Sequence, residues 1–322
     1  MPSGKVVIVT GGARGIGRAI ALHIGGLGAR VIVADLGGAV DRLGAPAPEP
    51  AEAVAQAIRA AGGSADACAE NIATMHGAQR AVDLALQRHG RLDGLVCAAG
   101  LYVHKTILNT TEQEWDDVIA SHLKGHFACT QAALRAMLPQ GSGSIVHFSS
   151  AAAVAPPAMC AAYAAAKAGV LGLMRSTASE VAARGIRVNC VLPGASTRMT
   201  DLIYERMGVA TRELKPPGDQ SPVGEHRLSA GVGLRSELAA GTWRDPMNVA
   251  PFVAFLLSER SAHVTGKSFA VVGDQVTHVH ERSYGRTIRS GGTWSAQTLQ
   301  QRFDSELAPE LAVQPEFPWP PP

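Results

Sequence analysis

The sequence predicts an α/β fold: a doubly wound parallel sheet of about seven strands, forming a single domain with a C-terminal extension. Three observations carry this. Short β-branched runs alternate with helix-length stretches along most of the chain, an alternation that builds a parallel sheet covered by helices on both faces. The first such run passes directly into a glycine turn and then a helical stretch. Of the 322 residues, 46% are hydrophobic and only 17% charged, so a large core can form.

Lys5 to Thr10 reads as a buried parallel strand, Gly11-Gly12-Ala13-Arg14-Gly15-Ile16-Gly17 as the turn, and Arg18 to Gly25 as the helix. Glycines admit positive φ and let a diphosphate approach the main chain, where a helix N-terminus offers N–H groups and a positive dipole end. The spacing is T-G-x-x-x-G-x-G rather than G-x-G-x-x-G. A second strand, Arg30 to Ala34, ends in Asp35. A carboxylate there accepts hydrogen bonds from ribose hydroxyls and repels a 2′-phosphate, which favours NAD over NADP, with Arg14 pulling mildly the other way. The site is thus Rossmann-like, with the dinucleotide across the carboxyl ends of the strands where the strand order reverses.

Further strands are expected at 65–68, 93–97, 143–148, 186–191 and 268–272. Asn71, after the third, either touches adenine or shapes its loop. The fourth runs into Cys97-Ala98-Ala99-Gly100 and the fifth into Ser149-Ser150. Residues 112–137 and 161–183 read as long helices. The stretch Ala195 to Asp245, with its prolines and glycines, is a long insert of the kind that is usually functional or disordered.

On the second long helix, Tyr163 and Lys167 are four apart and share one face. Lowering a phenol from about 10 by roughly 2.5 units requires about 3.4 kcal/mol. An ammonium at about 4 Å, with an effective dielectric near 20, supplies roughly 4 kcal/mol. The expectation is that Lys167 alone holds Tyr163 as a usable base.

The glycine loop and the Tyr-x-x-x-Lys pair together resemble the short-chain dehydrogenase/reductase family over roughly residues 3 to 275. The resemblance implies that Ser150, thirteen residues before Tyr163, bonds the substrate oxygen. It implies that Tyr163 moves the hydroxyl proton and that Lys167 also bonds the nicotinamide ribose. Gly11, Arg14, Gly15, Ile16, Gly17, Asp35, Asn71, Ala99 and Gly100 would hold NAD, with Pro193, Gly194 and Thr197 beside its nicotinamide. Two departures stand out. Cys97-Ala98-Ala99-Gly100 replaces N-N-A-G, so small apolar groups should pack there. His122 stands where the family's fourth catalytic member is an asparagine. That asparagine acts through its main-chain carbonyl, so His122 is expected to be tolerated, without acid/base work by its imidazole.

The implied activity is NAD-dependent interconversion of a secondary alcohol and a ketone on a hydrophobic substrate. Asp35-Leu-Gly-Gly38 and His122-Leu-Lys-Gly-His126 look like the dehydrogenase unit of the peroxisomal multifunctional enzyme and its bacterial relatives, which act on 3-hydroxyacyl-CoA thioesters or hydroxysteroids. The alternative is a catalytically silent NAD-binding sensor or scaffold. Residues 1–275 would form the catalytic domain, with 195–245 as its substrate lid, and 276–322 the extension. Arg198, Arg206, Arg212, Lys215 and Arg227 in the lid suit either a phosphorylated handle or a solvated surface. No metal is expected, since His278 and His280 lack a third ligand. The net charge of +2 gives no footprint for nucleic acid, and the run Ala151 to Ala166 is too interrupted to span a membrane. The first strand begins within five residues, leaving no room for a leader, and five unpaired cysteines fit a reducing cytoplasm. By resemblance, the long helices pair between subunits in a dimer or tetramer.

Overall fold

The computed structural model describes residues 3–41, 45, 47–206, 234–280, 286–290, 293 and 295–310. The chain divides into two compact units, Met1–Val279 and His280–Pro322. In the first, eight strands form one sheet: β1 (Val6–Thr10), β2 (Arg30–Ala34), β3 (Ser64–Cys68), β4 (Gly94–Cys97), β5 (Gly143–Phe148), β6 (Ile186–Gly194), β7 (Ser268–Val272) and β8 (Gln275–His278). Their order is β3-β2-β1-β4-β5-β6-β7-β8, all parallel except the last pair. The parallel strands β1–β7 match the expected set of about seven, and β8 adds an antiparallel edge. The two residues Gly273-Asp274 turn the chain, Gly273 at φ 58°, so that Val272 pairs with Gln275. Such two-residue turns favour glycine and match the twist of a hairpin.

Strand alternation sorts the core into two layers. On β1, Val6 and Ile8 face one apolar layer, with Val7 and Val9 in the other. The first layer is covered by α3 (Met75–His89), α5 (Gly125–Gln140) and α6 (Ala161–Val181); α1 (Gly15–Gly26), α2 (Glu49–Ala60) and α8 (Ala250–Leu257) cover the second. The helix expected over 112–137 is interrupted. α4 (Glu112–Ile119) is joined to α5 by a widened turn, Ala120–Lys124, in which the Gly125 N–H is shared by the Ala120 and His122 carbonyls. One extra residue in the turn accounts for it.

The insert begins as α7 (Arg198–Arg206) rather than as loop, and Asp201 accepts the Ser236 N–H at 2.9 Å, fastening the insert's two ends. Residues 207–233, which include Arg212, Lys215 and Arg227, lie outside the described residues, as does the tail 311–322. In the second unit, α9 (Ala296–Arg302) is continued by a wider turn, Phe303–Leu307. Among the described residues no helix is long and apolar enough to cross a membrane.

Candidate active site

The strand order reverses beside β1, whose neighbours are β2 and β4, and most of the sequence-predicted site residues lie at the carboxyl ends of the central strands. Gly11 has φ 65°, and a Cβ on it would stand 2.7 Å from Ala99 Cα; on Gly17 it would stand 2.1 Å from the Gly11 carbonyl oxygen. Only glycine allows this turn to fold so tightly. α1 starts behind it without a side-chain cap or an acidic residue in its first turn, and Ile16 packs toward the α1 layer. Asp35 organises the same turn, accepting the Ala13 N–H at 3.0 Å and the Gly37 N–H at 2.8 Å. Arg14 donates to the carbonyls of Gly38 at 2.7 Å and Gly37 at 3.3 Å. An uncapped helix N-terminus behind a glycine turn, with a carboxylate ending the next strand, fits the diphosphate and ribose of a nicotinamide dinucleotide.

Thr10, which sequence reasoning passed over, holds the neighbouring strand end: its hydroxyl accepts the N–H groups of Ala98 at 3.2 Å and Ala99 at 3.3 Å. Cys97 is buried in the apolar layer beside Cys129. Pro193 and Gly194 end β6 against β7, and a Cβ on Gly15 would meet the Thr197 methyl at 3.2 Å, so the segment after β6 lies against the glycine turn. Asn71 Oδ1 accepts the Ala73 N–H at 3.0 Å, in a local turn that leads into α3.

Ser150 follows β5, with its hydroxyl accepting the Ala152 N–H at 3.2 Å. Lys167 is 4% exposed and donates from Nζ to the Phe148 carbonyl at 2.7 Å; the same Nζ lies 5.7 Å from the centroid of the Tyr163 ring. The expected depression of Tyr163 is corrected here. Burial pushes its phenol up to about 12, against a downward pull from hydrogen bonding to Ser150. Desolvation of the phenolate is the dominant cause, and burial likewise lowers Lys167 to about 8.

His122, in the widened turn, is 1% exposed. Its Nε2 lies 2.6 Å from the Leu101 carbonyl oxygen and 3.1 Å from the Leu101 nitrogen. One ring nitrogen cannot both donate and accept, so the shorter contact assigns Nε2–H as donor to the carbonyl. Nδ1 has no hydrogen-bond partner among the described residues. Burial, then the Lys167 charge, hold this imidazole well below its ordinary range, hence neutral. Gly100 makes room for it: a Cβ there would lie 1.9 Å from His122 Cε1.

Sequence reasoning also missed Tyr102, whose ring packs edge-on to Tyr163 with centroids 5.0 Å apart; an aromatic two residues after Gly100, in the segment that follows β4, was the available signal. Beneath the site, Cys97, His126 and His147 bring ligand-type atoms within 4.8 Å of one another. His126 and His147 engage each other through Nδ1 at 3.1 Å. The Lys167 charge acts on all three residues, which disfavours a further cation there.

The sequence pattern described as short chain dehydrogenase matches residues 5–207. A 3-oxoacyl-[acyl-carrier-protein] reductase FabG of Staphylococcus aureus is 36% identical over 271 residues, covering 84% of this chain and 97% of that protein. The hydroxyacyl-CoA dehydrogenase ChsB1 of Mycobacterium tuberculosis is 34% identical over 307 residues, covering 92% and 86%. Among solved structures, a short chain dehydrogenase from Mycobacterium avium superposes with a TM-score of 0.75 at 33% identity, covering 95% of each chain.

Proposed function

The chain belongs to the short chain dehydrogenase family, and from that premise we propose that it interconverts the 3-hydroxy and 3-oxo groups of an acyl thioester, with NAD as hydride carrier. The observation that carries this is the convergence of Ser150, Tyr163 and Lys167 at the carboxyl end of β5, beside the glycine turn. The names of the FabG and ChsB1 relatives support an acyl substrate over a hydroxysteroid. Asp35 supports NAD, and its carboxylate is held in place by two main-chain N–H groups while Arg14 is drawn onto two carbonyls. We take the working molecule to be a homo-oligomer, dimer or tetramer, in the cytoplasm.

When bound, the dinucleotide takes hydride from the carbinol carbon or returns it. The protein's part is to orient and to move a proton. Ser150 holds the substrate oxygen. Tyr163, at about 12, keeps its proton at neutral pH and delivers it to a ketone oxygen as hydride arrives; alcohol oxidation requires that the phenol first lose that proton, so it gains with alkaline pH. Lys167, near 8, changes charge within the working range and returns a proton toward the phenol.

Absorbance at the NADH band tests this, with NADH or NADPH as reductant across 3-oxoacyl thioesters, ketosteroids and simple ketones. The expected result is NADH-dependent reduction of the thioesters, reduced at least about 100-fold in Tyr163→Phe. NADH binding without turnover of any ketone would overturn the enzyme assignment in favour of a sensor, and preference for NADPH would overturn the role given to Asp35.

A further inference from the structure

Tyr163 is only partly buried, yet two other rings stand almost perpendicular to it. Tyr102 lies at 5.0 Å between centroids and 73°, His122 at 5.1 Å and 87°, the geometry aromatic pairs prefer. Neither ring can turn freely. Tyr102 is 4% exposed, its N–H donates to the Val40 carbonyl at 2.8 Å, and its hydroxyl lies 3.3 Å from His104 Nδ1. His122 is clamped through Nε2 to Leu101, the residue directly before Tyr102, and lies flush on Gly100. The His122–Leu101 hydrogen bond therefore couples the two rings, because it anchors the main chain beside Tyr102. Leu101, Val118, Ala162 and Ala166 form a small separate apolar cluster against which Tyr163 packs.

We propose that Tyr102 and His122 are positioning residues: a bracket of two edge-on rings that aims the Tyr163 hydroxyl and shields part of its ring from water. The bracket's effect on turnover rests on the assignment of Tyr163 as the acid/base group above; its effect on the Tyr163 titration does not. His122 acts through its ring and Nε2–H, without gaining or losing a proton. The groups around the phenol are Ser150 after β5, Cys160 and Lys167 on or beside α6, Tyr102 and His104 after β4, and His122 before α5. Cys160 is pushed up to about 11 by burial, so at neutral pH Lys167 carries the nearest charge.

The chain has four tyrosines, so ¹³Cζ-tyrosine NMR resolves them, and Tyr163→Phe identifies the Tyr163 signal. Opening the bracket admits water and relieves desolvation. In Tyr102→Leu and in His122→Asn the Tyr163 titration is expected to move down by about one unit or more. Turnover should fall about tenfold, with KM within about threefold of wild type. Tyr102→Phe, which keeps the ring edge, should retain both the titration and most of the turnover. A Tyr163 titration unmoved in Tyr102→Leu and His122→Asn, each melting cooperatively, would overturn the bracket, as would Tyr102→Phe behaving like Tyr102→Leu. The titration needs no substrate. If it shifts as expected in a protein that turns over no ketone, the bracket stands and the enzymatic assignment falls.

Discussion

His147 lies in the core with both ring nitrogens engaged, Nδ1 with His126 at 3.1 Å and Nε2 with the Thr130 hydroxyl at 3.4 Å. Burial lowers it to about 3 from an ordinary 6.5. Its folded state therefore refuses a proton that the unfolded chain takes up below 6.5. The associated stability is fully present above pH 6.5 and is lost as pH falls toward 3, on the order of a few kcal/mol. Urea unfolding between pH 7 and 4.5 should show a smaller loss for His147→Asn than for wild type. Gly100 gives a second test at this scale. Because its Cβ would overlap the His122 ring, Gly100→Ala should lower turnover by about tenfold or more in the NADH absorbance assay. The spacing of Tyr163 and Lys167 was legible in the sequence because a helix periodicity alone places them on one face. Their proton affinities were not, because these depend on burial, which an assumed dielectric does not contain.

α4 is held at its start by a reciprocal cap: the Thr111 hydroxyl accepts the Glu114 N–H, and the Glu114 carboxylate accepts the Thr111 N–H at 3.0 Å. Thr111→Ala should cost about 1 kcal/mol, read from urea midpoints with unchanged slope. The strands of the parallel sheet were readable from their β-branched runs, and the glycine turn from its spacing. The break between α4 and α5 was not. No glycine or proline occurs from Glu112 to Lys124, so nothing in helix propensity marks a widened turn that tertiary packing imposes. β8 was missed for a different reason. Its four residues are all exposed, so it lacks the apolar pattern, and only Gly273-Asp274 announced it.

At the scale of the whole molecule, the sheet order collects residues from five separate strand ends, from Thr10 to Gly194, around one line. Sequence order named most of these residues, since each follows its own strand. It could not show that Tyr102 and His122, twenty positions apart, both close on Tyr163, because that contact arises only when the strand and helix layers pack. The same packing leaves all five cysteines, at 68, 97, 129, 160 and 190, buried and unpaired. Folded protein should therefore react with no thiol on the timescale of an Ellman assay, and with five once unfolded in denaturant. A naturally shielded set of thiols makes the native chain a ready scaffold for single-site chemistry: Leu108→Cys, at a position 80% exposed between β4 and α4, would carry one fluorophore without removal of any native cysteine.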